Sequence, residues 1–222
     1  MKYCEKAKII KSDLDRLLLS LIEQGISDDQ NFPILRPAPK NIYEVTFQGA
    51  GYVSIAMSNI DYAKIYNELL NKRSYTAKLI DGGLLQLMYR FEGESLIHHR
   101  LAYYPSPKLR PFQEVPDSYL HDELFLDIVS RRIIPFPLRF DFDKKFAIDV
   151  VHPMCHLTLG DTKGCRIPVS AALTPRWFIE FVLRNFYQTD KHDFVKTLPK
   201  NQLNFDRTIT EKERSLIHIV VP

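Results

Sequence analysis

The segment HPMCHLTLG at residues 152–160 and the segment DTKGCRIPVS at residues 161–170 decide the fold of this chain. Apolar and polar side chains alternate in both segments, which is the period of a half-buried β-strand. The glycine-containing turn between them predicts a hairpin. Thr174-Pro175 then opens a strongly apolar helix that runs to Tyr187. A helix that is apolar around most of its circumference must be covered on more than one side, so it is the best candidate for the central packing helix.

The alternation also assigns the side chains of the hairpin to two faces. Leu157 and Ile167 belong to the apolar face, whereas His156 and Thr158 point to the other face. Arg166 should point with them and lie near Thr158 across the strand pair. A shift of the register by one residue would reverse these assignments.

The rest of the chain adds helices before and after a run of strands. Ser12 and Ser58 are the predicted N-caps of two helices, and further helices are predicted from Asp117 and near Asp190. The proline-rich segment 28–40 is predicted to be an extended connector. Strand patterns occupy residues 42–47, 52–57, 75–80, 84–91, 95–104 and 138–143, and the turn at 48–51 predicts a hairpin of the first two. The Asp-Gly and Glu-Gly turns predict an antiparallel meander over 75–104. We therefore expect an α+β fold with a single curved antiparallel sheet of about six to eight strands, packed by helices on one side.

Composition is that of an ordinary globular protein. The 222 residues predict a single α+β domain over 1–222, with an N-terminal helix and connector (1–40), a sheet core with its packing helix (41–188) and a C-terminal extension (189–222). A net charge of +3 does not identify a nucleic-acid binder. Three cysteines, an odd number, favour reduced thiols in the cytoplasm. No apolar run approaches the ~18 residues of a membrane span, so no membrane association is expected.

Two further strands offer polar side chains that could meet those of the hairpin. The strand 95–104 carries His98 and Arg100 on one face and His99 on the other, and the strand 138–143 carries Arg139 and Asp141. If these strands are neighbours of the hairpin, one polar face gathers both sets. The candidate catalytic residues are then His156, Arg166, Asp141 and a histidine from the pair His98 and His99, and the candidate binding residues are Arg100, Arg139, Thr158 and His152.

Two histidines and an arginine are the minimum for cleaving a phosphodiester without a metal ion. One imidazole accepts the proton of the nucleophile, and another donates a proton to the leaving oxygen. The guanidinium stabilises the negative charge that develops on the phosphoryl oxygens.

Two other interpretations of the same residues stay open. His152 and His156 with Asp141 and Asp143 offer nitrogen and oxygen ligands for a metal ion, but the His-x-x-x-His spacing converges on one metal in a helix, and this segment is predicted to be a strand. Alternatively, the histidines stabilise the hairpin and Arg166 pairs with an aspartate to close a sheet face. No glycine-rich phosphate loop, serine nucleophile elbow or dinucleotide fingerprint is found, so no cofactor is expected.

The chain resembles a bacterial family of uncharacterised proteins, domain of unknown function 2290. The likeness is carried by His152 and by the runs at residues 89–91, 99–101, 104–107, 139–143, 156–160, 165–169 and 178–187. The resemblance implies no established activity. The sheet followed by a histidine-rich motif is more loosely similar to small toxins of bacterial toxin–antitoxin modules. His156-Leu-Thr-Leu also looks like half of the paired His-x-Thr-x signature of two-histidine phosphoesterases, but the run at His218 lacks the hydroxyl residue.

Two functions from different classes follow as expectations. The first is an intracellular bacterial nuclease, toxin-like or linked to phage defence, that acts on RNA or DNA through the His/Arg polar face. The second is a non-catalytic subunit that binds nucleic acid or a partner protein from the same gene cluster. In the second case the helix after Thr174 or the aromatic pair Tyr103-Tyr104 would form the docking surface.

Overall fold

A computed structural model of the chain describes residues 4–48, 50, 61–107, 136–160, 164–187 and 193–222. The helices within these residues are α1 Glu5–Glu23, α2 Tyr62–Asn71, α3 Pro175–Phe186 and α4 Glu211–Arg214. The strands within them are β1 Ser27–Gln30, β2 Ile34–Ala38, β3 Ile42–Thr46, β4 Ala77–Leu79, β5 Leu84–Glu92, β6 Ser95–Tyr104, β7 Leu138–Asp143, β8 Cys155–Leu159 and β9 Ile167–Pro168.

These nine strands of the described chain form one open antiparallel sheet, which confirms the predicted α+β class. Strands β5 to β9 lie side by side in the order of the chain. The other edge of β5 is shared, because β4 pairs with its first residues and β3 with its last. β1 extends the sheet beyond β4, and β2 extends it beyond β3.

One face of the sheet carries the main apolar core. Leu87, Leu101, Phe140 and Leu157 lie in register across β5, β6, β7 and β8, and all four are buried. Helices α1 and α3 cover this face with their own apolar sides. The core therefore lies between two helices and the central strands, as the apolar pattern of the Thr174 helix predicted.

Helix α2 lies against the opposite face, so the helices are not confined to one side. Its buried residues Ile65 and Leu69 pack against Leu84, Ala102 and Tyr104, which alternate with the core residues of β5 and β6. The small or apolar side chains at the start of β5 and the end of β6 therefore form a second surface, on which α2 packs.

Helix α1 begins at Glu5, so the prediction that Ser12 is its N-cap is wrong. The amide of Ala7 donates to Cys4 Sγ at 3.2 Å, and the amides of Glu5 and Lys6 donate to the Glu94 carboxylate at 2.7 and 3.0 Å. These partners satisfy amides that a helix start leaves unpaired. Glu94 lies about ninety positions away in the β5–β6 turn, so the cap is not visible in the local sequence.

The proline-rich segment 28–40 is not a bare connector, because it contains strand β2 and most of strand β1. Pro37 lies within β2, opposite Tyr43 of β3. Among the described strands β2 pairs only with β3, and a strand at such an edge tolerates a residue without an amide hydrogen. These two strands bring the sheet of the described chain to nine rather than the expected six to eight.

Other predictions fall outside the described residues. They are the strand 52–57 with its hairpin turn, the Ser58 cap, the helix after Asp117 and the short helix near Asp190. Within the described ranges, no helix is both long enough and apolar enough to cross a membrane.

Candidate functional site

Three charged or polar side chains face each other across the central strands. Arg100 of β6 lies opposite Asp141 of β7, which lies opposite His156 of β8. Arg100 Nε donates to Asp141 Oδ1 at 3.3 Å. All three residues are buried, and His156 is only 3% exposed. We call the sheet face that carries these three residues, together with Arg139 and Thr158, the polar face.

Arg139 and Thr158 form the adjacent row of the polar face, where they lie opposite each other. Arg139 Nε is 3.5 Å from Asp141 Oδ2, an ion-pair distance, although its N–H has no acceptor in hydrogen-bonding geometry. Burial raises the pKa of Asp141, but Arg100 and Arg139 outweigh it and hold that pKa below its usual value. Asp141 is therefore an ionised carboxylate between two guanidinium groups, and the three together carry one net positive charge.

His156 has a defined tautomer. Its Nδ1 is 2.8 Å from the carbonyl oxygen of Pro153, which can only accept, so Nδ1 carries the proton and Nε2 is the basic nitrogen. Burial lowers the pKa of His156, opposed by the Pro153 hydrogen bond and by Asp141. Nearby His152 and Arg166 lower this pKa further. The imidazole is therefore neutral near pH 7 and able to accept a proton through Nε2.

His152 is the second imidazole at this site, although Pro153 interrupts the alternation that assigned the other faces. Its ring centroid is 4.8 Å from that of His156. His152 Nδ1 donates to the carbonyl oxygen of Phe146 at 2.7 Å, so its Nε2 is also the unprotonated nitrogen of the neutral ring. His152 is half-buried, which makes it the more accessible of the two histidines.

Arg166 lies at the open edge of the same region. The β8–β9 register pairs His156 with Pro168 and Leu157 with Ile167, as the hairpin pattern predicted. One further step along this register places Arg166 beside Thr158. Arg166 is exposed and lies close enough to His156 to lower its pKa. The polar side chains therefore become more accessible to solvent from the buried row of Arg100, Asp141 and His156 toward Arg166.

The structure does not bring His99 to the polar face. His99 lies on the face under α1 and α3, between Tyr89 and Phe142. Its Nε2 accepts the amide hydrogen of Leu173 at 3.2 Å. Burial, with a smaller contribution from His98, lowers the pKa of His99 to about 3. His99 therefore acts as a neutral acceptor that positions the residue before the α3 cap.

His98 points to the polar face, one row further along the sheet from Arg100. It lies opposite Asp143 of β7. Burial lowers the pKa of His98, and Arg100 lowers it further against the opposing effect of Asp143. Of the two adjacent histidines, only His98 shares a face with His156, and the two lie in neighbouring rows on β6 and β8, with β7 between them.

Tyr104 is a polar-face residue that sequence reasoning missed. It lies six positions after His98 and four after Arg100 on β6, and this even spacing was the signal that could have placed it on the same face. Its hydroxyl is buried and has no hydrogen-bond partner. Burial raises the pKa of Tyr104, whereas the nearby charges of Arg100 and Arg139 lower it. An unpartnered hydroxyl beside two guanidinium groups is a polar atom that a ligand oxygen would satisfy.

The ligand set for a metal ion does not assemble in the described part of the chain. Nowhere within it do three or more His, Cys, Asp or Glu side chains gather around one point. His152 and His156 direct Nδ1 to backbone carbonyl groups, so Nε2 is the nitrogen that each keeps available for a proton or a ligand.

Comparison with known families gives one match, which spans residues 26–221 and is described as uncharacterized conserved protein (DUF2290). The chain belongs to the DUF2290 family. Searches of curated proteins and of solved structures gave no match. The DUF2290 region contains every strand named above and the whole polar face, but the family description states no activity. The function of this DUF2290 protein therefore has to be inferred from the chemistry of the site.

Proposed function

We propose that this protein is an intracellular bacterial nuclease that cleaves phosphodiester bonds through acid–base catalysis on the polar face. The observation that supports the proposal is the tautomer of His156, whose basic Nε2 lies in a cluster with one net positive charge. A phosphodiester carries one negative charge, so it matches the charge of Arg100, Asp141 and Arg139. The toxin-like or phage-defence setting rests only on the loose likeness of the sheet and its histidine-rich motif to small bacterial toxins.

In the proposed reaction, His156 Nε2 accepts the proton of the attacking hydroxyl group. The oxygen then forms a bond to phosphorus, and negative charge develops on the phosphoryl oxygens. Arg139 and Arg166, with Arg100 behind them, stabilise this charge. His152, the half-buried imidazole next to His156, donates a proton from Nε2 to the leaving oxygen when it is in the imidazolium form. Asp141 positions the two arginines of the buried rows.

The test is the activity of His156→Ala on RNA and on DNA, with and without divalent metal ions. Loss of a general base is expected to reduce the cleavage rate by about 10²–10⁴-fold. His218→Ala is the matched control, because His218 Nδ1 also donates to a backbone carbonyl, that of Leu216 at 2.9 Å. Circular dichroism must show that both variants keep the native fold. A wild-type protein that leaves RNA and DNA intact under all these conditions would rule out the proposal.

A second candidate function is supported by exposed apolar side chains near the same edge. Those on the β7–β8 loop are Phe146, Ile148, Val150 and Val151, and those after α4 are Leu216, Ile217 and Val220. The loop is joined to α4, which directly precedes the second segment, since Thr210 Oγ1 donates to Asp149 at 2.6 Å and the Val150 amide to Glu213 at 3.3 Å. Exposed apolar side chains gathered on joined segments are typical of a protein-binding surface. A non-catalytic subunit that docks a partner protein is therefore the alternative if wild-type protein has no nuclease activity.

The docking surfaces expected from the sequence, α3 and the pair Tyr103-Tyr104, do not support the function of a partner-binding subunit. Tyr103 and Tyr104 are buried, and α3 packs its apolar side against the main core. The exposed apolar side chains that support the second candidate belong instead to the β7–β8 loop and the C-terminal segment.

A further inference from the structure

Phe146 has a solvent-exposed aromatic side chain next to the polar face. It lies in the loop between β7 and β8 and is 60% exposed. A phenyl ring exposed on a surface loop is available for contact with a ligand.

The loop around Phe146 is held in place by its own hydrogen bonds. The Asp143 carboxylate accepts the amide hydrogens of Lys145 at 2.9 Å and of Phe146 at 3.2 Å. Ile148 and His152 exchange two backbone hydrogen bonds, at 2.9 and 2.7 Å. Because the backbone is already fixed, a ligand that contacts the ring does not have to order the loop first.

Phe146 is also directly connected to the proposed catalytic histidines. Its carbonyl oxygen accepts the hydrogen bond from His152 Nδ1 at 2.7 Å, and the His152 ring lies 4.8 Å from the His156 ring. The phenyl ring is therefore attached to the backbone position that orients the second imidazole.

Two lysines directly precede Phe146 in the loop and supply positive charge. Lys144 and Lys145 are both exposed, and Lys145 Nζ lies 5.1 Å from the centroid of the Phe146 ring. An aromatic ring that bases can stack on, combined with cations for the phosphate backbone, is the arrangement that proteins use to bind single-stranded nucleic acid.

We propose that Phe146 stacks on an unpaired base, so that the substrate of the polar face is single-stranded nucleic acid. The inference rests on the proposed nuclease function and adds its substrate class. In a duplex both faces of each base are covered by neighbouring bases, and only an unpaired base can turn a face to Phe146. Lys144 and Lys145 bind the adjacent phosphates, and the next phosphodiester lies at His156.

The experiment measures binding of fluorescein-labelled single-stranded and duplex oligonucleotides of the same sequence by fluorescence anisotropy. All proteins carry His156→Ala, so that the probe is not cleaved. Single-stranded probe is expected to bind more tightly than duplex. Phe146→Leu should weaken single-strand binding by about 5- to 150-fold, which corresponds to the ~1–3 kcal/mol of one base stack. Phe146→Trp should retain the affinity, because it keeps an aromatic face.

Ile148→Ala is the control for loss of apolar surface, since Ile148 lies on the same loop and is equally exposed. It should bind single-stranded probe as tightly as the parent. Equal affinity of Phe146→Leu and the parent, or equal binding of duplex and single strand, would overturn the inference. A cleavage assay with the wild-type protein distinguishes failure of the nuclease proposal from failure of the stacking proposal. If duplex and single strand are cleaved at the same rate, the nuclease proposal stands and only the stacking role of Phe146 is removed. Absence of both cleavage and binding removes the nuclease proposal itself.

Discussion

At the scale of single residues, two buried tyrosines on opposite faces of the sheet have opposite hydrogen-bonding states. Tyr89 donates from its hydroxyl to the carbonyl oxygen of Leu173 at 3.0 Å. Tyr104 has a buried hydroxyl without a partner, close to Arg100 and Arg139. A buried polar group that is left unpaired costs free energy, whereas a paired one contributes about 1 kcal/mol.

We therefore expect opposite effects from the same substitution at the two positions. Tyr89→Phe should lower the free energy of unfolding by about 1 kcal/mol, because it removes the hydrogen bond to Leu173. Tyr104→Phe should leave that free energy unchanged or raise it, because it removes only an unpaired hydroxyl. Urea denaturation followed by circular dichroism measures both. A loss of stability in Tyr104→Phe as large as in Tyr89→Phe would show that the Tyr104 hydroxyl is paired.

The residue scale also shows how far the sequence could predict the site. Period-two alternation placed His156 and Thr158 together, and the β7–β8 register puts them on one face with Asp141 and Arg139, as predicted. It could not decide which histidine of the pair at 98–99 would be involved. That choice depends on the β6–β7 register, which places Arg100 opposite Asp141 and so brings His98 to the same face.

At the scale of elements, α3 is fixed at both ends by contacts with the sheet. Before its N-cap Thr174, the backbone of Leu173 donates to His99 and accepts from Tyr89. At its C-cap, the Tyr187 hydroxyl lies 2.7 and 2.8 Å from the two oxygens of Asp81, in the β4–β5 turn. The sequence predicted where α3 begins from its own cap, but these anchors are distant in the chain and could not be predicted.

Gly83 is the position where the turn and the end of α3 come closest. A Cβ atom there would lie 2.7 Å from Tyr187 Oη and 2.8 Å from Tyr103 Cε2. Gly83→Ala should therefore lower the free energy of unfolding by about 1–3 kcal/mol, as overpacking does in a fitted core. In a Tyr187→Phe background the same substitution should cost less, because one of the two crowded atoms is gone. A double-mutant cycle from urea denaturation measures the difference, and simple additivity of the two changes would contradict the close contact.

At the scale of the whole molecule, the sheet separates two chemical environments. The face under α1 and α3 is apolar apart from residues such as His99, whereas the opposite face collects Arg100, Asp141 and His156. Hairpin turns and alternation were sufficient to predict the order of β4 to β6 and the antiparallel class. They could not predict that β3 and β4 share one edge of β5, since that pairing joins segments separated by the α2 region.

This division predicts how the stability of the molecule depends on pH. The pKa of His99 falls from 6.5 to about 3 on burial, so the folded state stays neutral at His99 over a range in which the unfolded chain binds a proton. The unfolded state then binds more protons, and the free energy of unfolding decreases as the pH falls from about 6.5 toward about 3. The lowered pKa values of His98 and His156 act in the same direction, whereas the raised pKa of Asp81 acts in the opposite direction at the acidic end.

His99→Gln isolates the contribution of His99, because glutamine keeps an acceptor for the Leu173 amide but does not titrate. The variant is expected to be less stable near neutral pH, since it loses the ring contacts with Tyr89 and Phe142. Its free energy of unfolding should nevertheless fall less steeply with decreasing pH, by up to about 1.4 kcal/mol per pH unit, the effect of one proton. Urea denaturation at a series of pH values measures both slopes. Parallel slopes for the variant and the wild type would mean that His99 titrates normally in the folded state, and the neutral acceptor that holds the start of α3 would have to be another group.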